Sequence, residues 1–162
     1  MNPLRIILLL IAAAVLGATA AAPAGAETLI THAQSHLRLE PLTVSTDKGV
    51  FRFKVEIADT PRRQEIGLMY RPPLAPDHGM LFEFPSPRSV MFWMKNCPYP
   101  LDMLFITADG RILSIVRNAA PESETPLPSG GPITGVLEIR GGRAAEMGAE
   151  PGDSVRHSFF HD

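Results

Sequence analysis

A chain of 162 residues with a net charge of −2 and a single cysteine excludes several classes at the outset. The charge balance argues against a basic face for nucleic acid or for an anionic membrane, and one cysteine cannot close an internal disulfide. Sixteen prolines and thirteen glycines favour short segments over long helices.

The chain opens with a targeting segment. Arg5 and the free amine give a positive start, and Ile6 to Val15 is an uninterrupted apolar run. That run is about half the length that crosses a bilayer. Ala24-Gly25-Ala26 fits the small-x-small cleavage rule, so cleavage is expected after Ala26, with Ala22 the alternative. No cysteine lies nearby to carry a lipid. The reading is a cleavable signal peptide over residues 1–26 of an exported protein, periplasmic or secreted, with no membrane span after cleavage. Residues 27–41 are read as a flexible lead-in. Residues 42–160 are read as one β-rich domain, large enough to fold without metal or disulfide.

Leu42 to Thr46 alternates as a strand, Asp47-Lys48-Gly49 supplies a turn, and Phe51, Phe53, Val55 and Ile57 alternate with Arg52, Lys54 and Glu56. This predicts a hairpin. Thr60-Pro61 places an N-cap hydroxyl before a proline and opens a short helix, which must end before Pro72-Pro73. Strands are predicted over 80–84, 90–95, 101–107 and 112–116. Asp109-Gly110 provides a hairpin turn between the last two. Ala119 to Pro132 reads as a long ordered loop or lid. Val136 to Ile139 is a strand, Arg143 to Met147 a helix stopped by Gly148, and Ser154 to Phe159 a last strand. The fold class is mainly β, an α+β domain with two short helices, its sheet compact, largely antiparallel or barrel-like.

Seven blocks in register resemble the family called domain of unknown function 192. They are Gly67-Leu68-Met69, Gly79 to Phe82, Phe92 to Asn96, Pro100-Leu101-Asp102, Ala119-Ala120-Pro121, Val136-Leu137-Glu138 and Gly152-Asp153. The resemblance covers about Leu42 to Val155. It implies a compact β-rich domain, often exported, and brings no established catalytic residues. The family usually has threonine where this chain has Cys97, which weighs against a shared catalytic thiol.

The organising stretch is Ser89 to Asp102, with the only tryptophan and the only cysteine. Trp93, Lys95, Asn96, Tyr99 and Asp102, with Glu138, are the candidate ligand-binding residues. Polar groups set in apolar surface are where sites form. The bland alternative has Lys95 snorkelling, Asn96 turning the chain and Asp102 capping locally. The leading reading is a monomeric, non-enzymatic domain of the cell envelope that binds an unknown small molecule or envelope protein, with no cofactor and no nucleic acid.

Other chemistries stay open. One is an envelope-acting hydrolase in which Asp102 orients Lys95 as a base, or in which Glu83 and Glu138 act as a carboxylate pair. Another is copper handling by Met69, Met80, Met91, Met94 and Met103 with His78 and Cys97, since thioether and thiolate suit Cu(I). A third is Cys97 as a nucleophile served by His78 or His157. His32, His36 and His161 read as solvated. No zinc spacing, phosphate loop or nucleophile elbow is present.

Overall fold

The computed structural model describes residues 29–160, so the expected signal segment lies outside the described residues. Among them, nine strands and two helices follow in order: β1 (Leu39–Thr46), β2 (Gly49–Ala58), α1 (Pro61–Ile66), β3 (His78–Arg88), β4 (Met91–Phe92), β5 (Leu101–Ile106), β6 (Ile112–Ala119), β7 (Leu127–Pro128), β8 (Ile133–Arg140), α2 (Arg143–Met147) and β9 (Ser154–Arg156). Seven strands form one sheet in the order β6-β5-β8-β3-β2-β1-β9. Its pairings are antiparallel except β2 with β3. Those two run parallel because α1 and the proline-rich loop return the chain to the same end.

The sheet curls until its edges touch. Arg111 bridges Ser154, Ile112 N–H donates to the Asp153 carbonyl, and Val155 N–H donates to the Gly110 carbonyl. The result is a half-barrel, mainly β as the sequence predicts. Its interior holds Leu42, Val44, Phe53, Val55 and Ile57 against Leu81, Leu104, Leu137 and Ile139, and Ala144 and Met147 of α2 join this core. A second apolar layer covers the outer face of β3, β5 and β8. Leu68, Met69, Met94 and Cys97 pack there on Met80, Phe82, Met103 and Phe105.

Local chemistry explains the elements. The β1–β2 hairpin closes at Thr46 opposite Gly49. Gly49 has φ +132°, a conformation glycine adopts without steric penalty. Thr60 caps α1 by accepting from Arg63 N–H at 3.3 Å, with Pro61 in the first turn. Gly148 stops α2 in the left-handed region, its N–H bonded to Ala144 and Ala145 carbonyls.

Four elements differ from expectation. The predicted strand 90–95 is reduced to Met91–Phe92, which pairs with Leu127–Pro128 inside the predicted loop. Beyond Phe92 the backbone bonds to other loops: Met94 N–H donates to Ser123 O, and Tyr70 N–H donates to Asn96 O. The outer face of the sheet needs an apolar cover, and this stretch lies across it instead of extending the sheet. β3 runs on to Arg88 through Pro85 and Pro87, with a register shift after Glu83 and an exposed end; proline is tolerated in such a segment. β9 stops at Arg156 because the chain turns, Phe159 N–H bonding to His157 Nδ1 at 3.2 Å. Finally, the lead-in is docked, first through the Ile30 carbonyl, which accepts from the Tyr70 hydroxyl at 3.1 Å, and then through Gln34. Its amide donates to Arg63 O at 3.0 Å and Gly67 O at 2.9 Å, at the end of α1.

Close strand packing gives one stability prediction. A Cβ at Gly79 would sit 2.7 Å from the Glu138 carbonyl oxygen, and backbone on a central strand cannot move aside cheaply. Gly79→Ala is expected to lower the unfolding free energy by about 1–3 kcal/mol, read from the urea midpoint at unchanged slope.

Candidate functional site

β5 and β8 are buried on both faces, so each strand sends alternate residues into different surroundings. On β8, Leu137 and Ile139 enter the barrel while Val136 joins the outer layer, and Glu138 shares the Val136 face. Its neighbours across the sheet are Met80 and Met103, both fully buried. Glu138 therefore rises from the outer face into an apolar layer.

A cavity of about 260 Å³ lies above it. Its walls are Gln64 to Met69 at the end of α1, Phe82, Met91 to Trp93, Lys95 and Cys97, with Glu138 among the lining residues. Phe92 stands edge-on to Phe82 at 4.9 Å between ring centroids. Glu138 is 4 % exposed and has no hydrogen bond or ion pair among the described residues. Burial pushes its pKa up to about 8, because a lone carboxylate in apolar surroundings is poorly solvated. At neutral pH it is mostly a neutral acid.

Two further polar groups lie close by. The Tyr99 hydroxyl is buried with no hydrogen-bond partner among the described residues. Burial, then the charges of Cys97 and Glu138, raise its pKa. Cys97 is 6 % exposed. Burial first, then Glu138 and Glu122, push its thiol up to about 12. This disfavours the nucleophile reading, since the thiolate is the reactive form. Cys97 should react with a disulfide reagent at least about a hundredfold more slowly in the native protein than in urea; equal rates would contradict the burial described.

Lys95 lies at the rim, its ammonium 3.6 Å from a Glu124 oxygen and 5.2 Å from the centre of the Trp93 ring. Asn96 shapes the turn. It has φ +57°, its carbonyl accepts from Tyr70 N–H, and its amide reaches Met69 Sδ at 3.6 Å. With Leu29, Ile30, Glu65, Met69, Trp93 and Lys95 it lines an adjoining groove.

Asp102 is elsewhere. It alternates with Met103 and so shares the inner face with Leu104 and Ile106. Fully buried, it accepts from Asn118 N–H at 2.7 Å, Gly142 N–H at 3.1 Å and Ala144 N–H at 2.7 Å. Gly142 cannot cap α2 with a side chain, and Asp102 caps it from β5. It therefore does not orient Lys95, which belongs to the outer layer. Glu83 and Glu138 are likewise on opposite faces of the sheet. Glu83 lies 3.9 Å from Arg38 and 3.8 Å from His157, so the two carboxylates form no pair.

The methionines do not form a cluster of free donors. Met80, Met94 and Met103 are fully buried in the outer core and Met91 is 74 % exposed. His78 pairs with Asp77 at 2.9 Å near the surface. Among the described residues no group of three or more His, Cys, Asp or Glu could hold a metal ion. The structure thus gathers Trp93, Lys95 and Glu138 at one cavity, sets Asn96 and Tyr99 beside it, and separates Asp102. Phe82, Phe92, Leu68 and Gln64 are pocket residues that sequence reasoning missed. Phe82 and Phe92 lay within recognised blocks, but nothing in their spacing distinguishes a pocket wall from core.

A mostly antiparallel β half-barrel with an outer layer enclosing a small apolar pocket over a buried acid defines the class of this protein. The chain belongs to the DUF192 family, described as uncharacterised ACR, whose model matches residues 42–157. Among the similar solved structures are these two. One is described only as a candidate transcription regulator from Sinorhizobium meliloti 1021: it is 44 % identical with a TM-score of 0.73, over 76 % of this chain and 96 % of that one. The other is a protein of unknown function from Novosphingobium aromaticivorans DSM 12444, 42 % identical with a TM-score of 0.75, over 82 % and 94 % of the two chains. No curated protein matches the chain.

Proposed function

We propose that this protein is a non-enzymatic small-molecule-binding domain, exported to the periplasm or secreted, and that it works as a monomer. The observation that carries this reading is Glu138: a carboxyl group with no partner among the described residues, open to an apolar cavity. Leaving such a group unpartnered costs stability, and groups of this kind concentrate at functional sites. Phe82, Phe92 and Trp93 offer a body-binding wall, and Lys95 stands at the entrance. The other charged groups lining the cavity are each engaged in an ion pair, Glu65 with Arg62 and Lys95 with Glu124, which favours binding over turnover.

The name given to the Sinorhizobium protein suggests a DNA-binding alternative. The net charge of −2 gives that reading little support, because nucleic-acid binding relies on a basic face. Among the described residues no helix is long and apolar enough to cross a membrane.

A small-molecule screen following the single tryptophan, Trp93, tests the reading. Compounds that change its fluorescence saturably should raise the melting temperature of the wild type and lose that effect in Glu138→Leu. Hits that stabilise both proteins equally would place binding elsewhere. Export is tested separately by the intact mass of the processed form, which should begin at Glu27.

A further inference from the structure

We infer that the pocket takes an organic ammonium ion, its charge seated between the Glu138 carboxyl and the aromatic rings of Phe82, Phe92 and Trp93. This rests on the pocket being the binding site and names the chemistry of its occupant.

The argument begins with the charges around Glu138. Among the described residues Lys95 is the only basic one lining the cavity, and its ammonium is held at the rim by Glu124 and the Trp93 ring. The other charged lining residue is Glu65 of α1, paired with Arg62 at 2.8 Å. From the turn after β4, Cys97 faces Glu138 as a neutral thiol and Tyr99 approaches as a neutral phenol. Glu122 adds negative potential at Cys97. Arg71, which acts on Tyr99, is committed to Glu56 through both of its terminal nitrogens. From β3 and β5, Met80 and Met103 bring no charge. An acid is thus present without a cation to answer it.

Three aromatic residues, Phe82, Phe92 and Trp93, line the cavity, and the Trp93 ring already attracts one ammonium, that of Lys95. Aromatic rings attract a cation through their negative faces, most strongly where water is excluded. A metal ion fits less well. The Met69 sulfur already meets the Asn96 amide at 3.6 Å, and among the described residues no group of three or more His, Cys, Asp or Glu could hold one. An anionic ligand would meet Glu138 with no basic partner at the floor.

Binding is then coupled to a proton. In the empty pocket Glu138 holds its proton below about pH 8. A quaternary ammonium seated beside it favours the carboxylate, and the proton passes to solvent. Apparent affinity should therefore rise about tenfold per unit between pH 6 and pH 8 and level off above pH 9, as the binding-competent carboxylate fraction grows.

The test uses three probes that share a ring and differ in head group: benzyltrimethylammonium, benzyl alcohol and phenylacetate. Each is titrated against the full chain with Trp93 fluorescence as the readout, from pH 6 to pH 9. The expected result is saturable binding of the quaternary ammonium with the pH dependence above. In Glu138→Gln, which should remain folded by thermal melt, affinity at pH 8 should fall at least tenfold and the pH dependence should vanish. Lys95→Ala should tighten the ammonium severalfold by removing a like charge. If benzyl alcohol or phenylacetate saturates Trp93 as tightly as the cation, the ammonium inference is overturned while the pocket survives. If none of the three perturbs Trp93 at millimolar concentration, and the wider screen also fails, the pocket reading falls with it.

Discussion

Asp102→Ala is expected to lower the unfolding free energy by about 3–5 kcal/mol, the largest loss for any single side chain in this account. The carboxylate is fully buried and accepts three backbone N–H groups from two separate segments, Asn118 on β6 and Gly142 and Ala144 at the start of α2. Truncation leaves those donors buried and unsatisfied, and it removes a negative charge from a helix N-terminus. In a domain of this size the melting temperature should drop by about 10–20 °C. Asp102→Asn should recover only part of the loss, because its amide nitrogen presents a donor where a donor already stands. If the alanine variant melts within about 2 °C of wild type, Asp102 does not hold α2.

Glu138 should behave in the opposite way. Its carboxyl titrates near 4.5 when unfolded and near 8 when folded. The folded value is raised, so the stability associated with the protonated form is fully present below pH 4.5. It is lost progressively as the pH rises through 8 and does not fall further above that. Across this window the ionised group costs about 3–5 kcal/mol. Glu138→Gln should be close to wild type at pH 5 and more stable by several kcal/mol at pH 8.5, measured by urea unfolding. His157, whose pKa burial lowers, contributes stability present above its unfolded value of 6.5 and lost on acidification. Burial also raises Glu83. Both are common to the two proteins, so the difference curve isolates Glu138. A variant that gains stability by losing an ionisable carboxyl marks a residue retained for a purpose other than folding.

The strands could be read because alternation survives where one face of a strand is wet. Phe53, Val55 and Ile57 against Lys54 and Glu56 is such a case, and the β1–β2 hairpin is found where it is predicted. Capping chemistry is also local, so Thr60-Pro61 and Gly148 mark helix ends without reference to the rest of the chain. The site was harder. β8 is buried on both faces, so the alternation that sets Glu138 apart from Leu137 and Ile139 carries it into the outer layer, with no wet face to mark it. The role of Asp102 depends on α2, some forty residues further on, and no local pattern around Pro100-Leu101-Asp102 encodes that contact. Trp93 and Lys95 sit in a run apolar on alternate faces, which reads as a strand. It becomes a loop because the outer sheet face needs cover and Leu127–Pro128 supplies only a two-residue partner. The resemblance outlined the domain's extent and said nothing about the pocket, since the family carries no assigned site.

The titration of the Glu138 side-chain carboxyl carbon by NMR tests the central claim most directly. An unpartnered acid on the floor of an apolar pocket should titrate near pH 8 in the free protein, and its midpoint should fall when benzyltrimethylammonium is added. A midpoint below 5 in the free protein would mean that the carboxyl is already solvated or paired, and the pocket would not be poised to recognise a ligand through it.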